Sequence, residues 1–99
     1  MAAGADGCIS VTANIAPALC AELMEHALNG DFAQALKLQD RLTPLHAAIF
    51  LEPGVCGVKY ALSLLGLARN EMRLPLIPVG AATEASVRRA MVHAGVLNA

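Results

Sequence analysis

Lys37 and Lys59 are the only side chains in this 99-residue chain able to attack a carbonyl as an amine. An amine nucleophile works when burial or a cationic neighbour lowers its pKa enough to populate the free base. Lys59 stands beside Tyr60, the single tyrosine, so the two together offer a nucleophile and a phenolic proton relay. Their setting favours plainer roles. Lys59 falls at the opening of a predicted helix, and Tyr60 reads as a residue at the core edge, ring packed and hydroxyl wet. His46 and Glu52 present an acid–base pair, but His46 sits toward the end of an apolar-periodic helix and reads as a hydrogen-bonding residue before a connector. Ser10 and Thr12 alternate with Ile9 and Val11, so two of the four face each side of an extended segment. Ser10 has no base near it in the pattern of a Ser–His–Asp nucleophile.

The sulfur and imidazole groups are dispersed. Cys8, Cys20 and Cys56 form no CxxC pair, and His26, His46 and His93 lie too far apart in sequence to predict a metal site. The cysteines read as reduced thiols packed as small buried hydrophobes.

These groups need elements to hold them. The stretch Gly7-Cys-Ile-Ser-Val-Thr12 suits a buried strand, entered by the turn Gly4-Ala-Asp-Gly7. A helix is predicted over Ala16 to Asn29, with Leu19, Cys20, Leu23, Met24, Ala27 and Leu28 on one broad face and a stop at Asn29-Gly30. Asp31 caps the next helix, with Gln34 in capping-box position. Phe32, Ala35, Leu36, Leu38, Leu42, Leu45 and Ile49 give it a wide apolar face, and Pro44 predicts a kink or break. Glu52 to Gly57 reads as a connector, followed by a third helix from about Val58 to Gly66. Arg73 to Pro78 holds two prolines and is expected to run extended and partly buried. Thr83 is expected to cap a last helix whose core face is Val87, Ala90, Met91 and Ala94, closed by Gly95.

Composition supports a mainly α chain. It is 57% hydrophobic with two Phe, one Tyr and no Trp, which favours Ala- and Leu-rich packed helices over a β-sandwich and argues against disorder. The net charge of −1, with Arg88-Arg89 the sole adjacent basic pair, is a poor footprint for nucleic acid. No apolar run reaches the roughly 18 residues of a membrane span. The opening MAAGADG lacks the look of a secretory signal, and a cytoplasmic location is expected.

One strand followed only by helices fills no complete layer architecture. It does fit the end of a (β/α)8 barrel with a helical appendage, and three ordered segments carry that further. Gly4-x-x-Gly-x-Ile-Ser-Val-Thr-Ala-Asn14 comes first. Next is Arg41-Leu-x-Pro-Leu-His46 with Phe50-x-Glu-Pro53 and Val58-Lys59. Last are Leu74-Pro-Leu76 and His93-Ala-Gly95. Together, over essentially the whole chain, they resemble the C-terminal third of the dihydrodipicolinate synthase family of pyruvate-dependent class I aldolases.

The resemblance implies a fold, a site and partners. Residues 1–30 would be the last β/α unit of a TIM barrel and residues 31–99 a C-terminal helical domain, in a cytoplasmic homotetramer. The family condenses pyruvate with aspartate semialdehyde in lysine biosynthesis, through a Schiff base on a barrel lysine and a tyrosine relay, without metal or organic cofactor. Of the positions here, Ile9 alone matches a substrate-site residue, approaching the pyruvate-derived carbons largely through its backbone. The Schiff-base lysine and relay tyrosine have no counterpart, because the family lysine matching Lys59 lies outside the active site. The 99 residues are therefore expected to be inactive alone. The rival expectation is a stand-alone helical interaction or oligomerisation module. Gly54 and Gly57, where many relatives carry prolines, are expected to loosen their connector.

Overall fold

The computed structural model describes residues 1–99 and places the core around one long helix. A single-turn 3-10 helix, Thr12–Asn14, leads into four α-helices: α1 Pro17–Leu28, α2 Phe32–Ile49, α3 Gly54–Leu64 and α4 Ala81–Ala94. Helix α2 packs against α1 and α4, and α3 rests on α2 and α4.

The second and fourth helices show why periodicity decides burial. Ala35, Leu38, Leu42, Leu45 and Ile49 recur at helical spacing on α2, and all are buried. Leu38, Leu42, Leu45 and Ile49 join Val87, Ala90, Met91 and Ala94 of α4, the face expected from the sequence, in a single apolar cluster that also takes in Leu23 and Ala61. Asp31 caps α2 as expected, its carboxylate accepting the backbone N–H of Gln34 at 3.2 Å. Gly95 closes α4 with φ of 81°, a left-handed conformation that glycine adopts without strain.

Several expectations give way. No strand forms at Gly7–Thr12: residues 7–10 find no neighbour to take their N–H and C=O groups, Val11 already has helical backbone angles, and Thr12 opens the 3-10 helix. Helix α2 runs through Pro44 without a break. Asp40, whose carbonyl loses its N–H partner there, is exposed to water. Phe32 and Leu36 are exposed rather than in the core, as is Leu28.

Two helix starts also move. Helix α3 begins at Gly54, directly after Pro53, so the anticipated connector is its first turn. Gly57 tightens this region rather than loosening it: a Cβ there would collide with the carbonyl oxygen of Ile49, so the glycine lets α3 close onto the end of α2. Helix α4 begins at Ala81 with Gly80 as its N-cap, and Thr83 is a buried residue of the first turn rather than the cap. The connector Arg73 to Pro78 is irregular, with Leu74 and Ile77 exposed and only Leu76 half-buried.

Candidate functional site

The segment Cys8–Ala16 lies across α1 and α2, and between them opens a cleft of about 350 Å³ lined by Cys8, Ser10, Cys20, Met24, Leu42 and His46 among others. The alternation expected from the sequence survives only over Cys8–Ser10, since Val11, expected on the face of Ile9, has helical backbone angles and packs against the core. Cys8 and Ser10 line the cleft, while the side chain of Ile9 between them is fully exposed. Thr12 is buried, 1% exposed, where the segment turns into the 3-10 helix.

The turn is densely bonded. The backbone N–H and side-chain amide of Asn14 both donate to the carbonyl of Val11, at 3.1 and 3.0 Å. The N–H groups of Ile15 and Ala16 both donate to the carbonyl of Thr12 at 2.9 Å. The Thr12 hydroxyl shares a 2.6 Å hydrogen bond with Nδ1 of His46 on α2.

His46 and Glu52 do not meet as an acid–base pair. His46 is engaged by Thr12, whereas the Glu52 carboxylate accepts the N–H of Gly80 at 3.0 Å and so serves as a charged cap on α4. Lys59 lies inside α3 rather than at its start, and its ammonium donates to the carbonyl of Glu71 at 2.7 Å. Tyr60 is half-buried against the core, as expected of a core-edge tyrosine. Neither lines the cleft, and Lys37 is exposed on α2.

Among the thiols, Cys56 is buried, Cys20 half-buried and Cys8 exposed, so the packed-hydrophobe expectation fails at Cys8. Burial pushes the Cys20 thiol above its ordinary pKa, aided by the nearby Cys8 and opposed by a hydrogen bond with Ser10. The thiolate is thereby disfavoured at neutral pH. Ser10 has that thiol for a partner and no imidazole, which leaves it without an activating base. No three His, Cys, Asp or Glu side chains converge as a metal-holding group.

Sequence reasoning missed the two long-range contacts that organise the region, Thr12 with His46 and Glu52 with Gly80. Nothing in either local pattern pairs them, since the partners are 34 and 28 residues apart.

The model of the dihydrodipicolinate synthetase family matches residues 1–94. The chain belongs to the dihydrodipicolinate synthetase family. Among its relatives, the 4-hydroxy-tetrahydrodipicolinate synthase of Rhodopseudomonas palustris is 59% identical over 98 residues, 99% of this chain and 33% of that protein. The crystal structure of dihydrodipicolinate synthase from Thermotoga maritima superposes with a TM-score of 0.93 at 38% identity, covering 97% of this chain and 32% of that one. The chloride-inhibited dihydrodipicolinate synthase of Acinetobacter baumannii, complexed with pyruvate, gives 0.90 at 40% identity, over 95% and 32%. The chain thus spans about a third of the length of the curated relatives it matches. Its architecture corresponds to the C-terminal third of this barrel family.

Proposed function

We propose that these residues form one wall of a 4-hydroxy-tetrahydrodipicolinate synthase, a lyase that condenses pyruvate with aspartate semialdehyde in lysine biosynthesis. The observation that carries this reading is the 59% identity to such a synthase across nearly the whole chain. In this role residues 1–30 close the barrel, residues 31–99 buttress it, and the assembly is a cytoplasmic homotetramer. Condensation proceeds through a Schiff base between an enzyme lysine and pyruvate, whose iminium draws electrons from the adjacent carbon and so generates an enamine nucleophile.

Ile9 supplies the contact with pyruvate in this reading. Its side chain is fully exposed while its neighbours Cys8 and Ser10 face the cleft, the disposition of a residue whose surroundings come from elsewhere in a barrel. Barrel sites form at the C-terminal ends of strands, and Ile9 stands just before the turn that ends its extended segment. The 99 residues alone lack the covalent step, since Lys59 is tied to the Glu71 carbonyl and Lys37 is exposed on α2 without lining the cleft.

A chimera tests the reading: these 99 residues replace the matching third of the Rhodopseudomonas synthase. A folded chimera that condenses pyruvate with aspartate semialdehyde is the expected result, and a folded but inactive one refutes it. The 99-residue chain treated with pyruvate and borohydride should remain unmodified; a pyruvate adduct on Lys59 would overturn its structural role.

A second reading, a helical interaction module, draws on exposed Leu28, Phe32 and Leu36, which sit within one stretch at the junction of α1 and α2. Concentration-independent monomers in analytical ultracentrifugation would remove self-association from that reading.

A further inference from the structure

We infer that His46 is a positioning residue for the segment that presents Ile9, acting through Thr12; the inference rests on the reading of Ile9 given above. No backbone hydrogen bond joins residues 1–10 to the helices, so the placement of Ile9 depends on how the chain is fixed just after it. That fixing point is Thr12, three positions on, and its partner is the imidazole of His46 at 2.6 Å.

Three features make this a placement device rather than an incidental contact. The turn that follows is stiff, because the carbonyls of Val11 and Thr12 each accept two hydrogen bonds, and residues 11–16 therefore move as a unit. The Thr12 hydroxyl is buried, so without His46 it must either stay unpaired at a cost or drag the turn toward water. His46 itself projects from the best-embedded helix, between Leu45 and Ile49, each 0% exposed, which makes its ring a fixed platform. The same ring lines the cleft with Cys8 and Ser10, so it lies beneath the part of the segment that flanks Ile9. A substrate neighbour held by such a chain affects binding geometry even though His46 does not touch substrate, and displacements near 1 Å are enough to matter.

The test uses the chimera and the 99-residue chain in parallel. In the chimera, His46→Ala and Thr12→Val should each raise KM for pyruvate about tenfold, leaving KM for aspartate semialdehyde within about twofold. Combining them should add nothing, since both remove the same contact. His46→Asn puts a polar atom where Nδ1 stands and should retain the parent KM; His46→Gln puts one where Nε2 stands and should behave as His46→Ala. In the 99-residue chain, hydrogen exchange at Asn14, Ile15 and Ala16 should speed up about tenfold in His46→Ala and His46→Gln but not in His46→Asn.

Faster exchange with an unchanged KM for pyruvate overturns the positioning role and leaves the catalytic reading intact. Unchanged exchange in His46→Ala overturns the tether itself. A folded parent chimera without activity refutes the catalytic reading and the positioning role with it, whatever the exchange data show.

Discussion

On α4, the apolar residues marked by helical spacing, Val87, Ala90, Met91 and Ala94, are all buried. In the segment before the 3-10 turn, an equally regular alternation leaves Cys8 and Ile9 exposed and Ser10 half-buried. Both patterns are well formed, yet only one becomes a regular element. A helix satisfies its backbone within itself and needs a neighbour only for its apolar face, whereas an extended segment needs a second chain segment merely to pair its backbone. The helices therefore satisfy their own backbone and share one core, whereas the segment is a part whose conformation is set by what it is fastened to.

Substitutions separate the two regions by size of effect. Met91→Ala should destabilise the chain most, by about 3 kcal/mol in urea unfolding, since it empties fully buried volume between α2 and α4. Gly57→Ala should follow at about 2 kcal/mol, because the clash with Ile49 forces α3 away from α2 and outweighs the helix-propensity gain. Glu52→Gln, which keeps an acceptor but loses the charge at the start of α4, should cost about 0.5 kcal/mol, read as a lowered midpoint with unchanged slope.

The segment should respond differently. Ile9→Ala should change the stability of this chain by less than about 0.5 kcal/mol, because the side chain is fully exposed. A loss comparable with that of Met91→Ala would erase the distinction between the regions.

The thiols give the smallest effect. Because burial raises the Cys20 pKa, the folded chain holds that proton when the unfolded chain releases it. The stabilisation is complete below the ordinary thiol pKa and is lost as pH rises through the raised one, so stability should fall with alkaline pH. Cys20→Ala should flatten that slope, and alkylation by iodoacetamide should modify exposed Cys8 before Cys20.

Much of this was legible in the residues. The family follows from three ordered segments, the core face of α4 follows from spacing alone, and that of α2 follows from it apart from Phe32 and Leu36. The cap at Asp31 and the stop at Gly95 are local signals that the fold obeys. Ile9 was offered as a site residue only through the resemblance, with no signal of its own in the local pattern. His46, Glu52 and Lys59 were visible as groups without visible partners, and each partner proved to be distant in sequence: Thr12, the N–H of Gly80 and the carbonyl of Glu71. The starts of α3 and α4 were misplaced for a related reason. Pro53 with glycines reads as punctuation, and Thr83 reads as a cap, until packing against Ile49 and the carboxylate of Glu52 shift both boundaries.

By itself the sequence determined family membership, four helices and most of the faces they turn inward, because these depend on residues within a turn or two of each other. Tertiary structure alone decided that residues 7–10 stay unpaired, that Thr12 meets His46, and that the guanidinium of Arg41 donates to the Ala94 carbonyl at 2.7 Å across 53 positions. Such polar contacts depend on where two helices cross, and that crossing is a property of the whole apolar interface rather than of any short stretch within it.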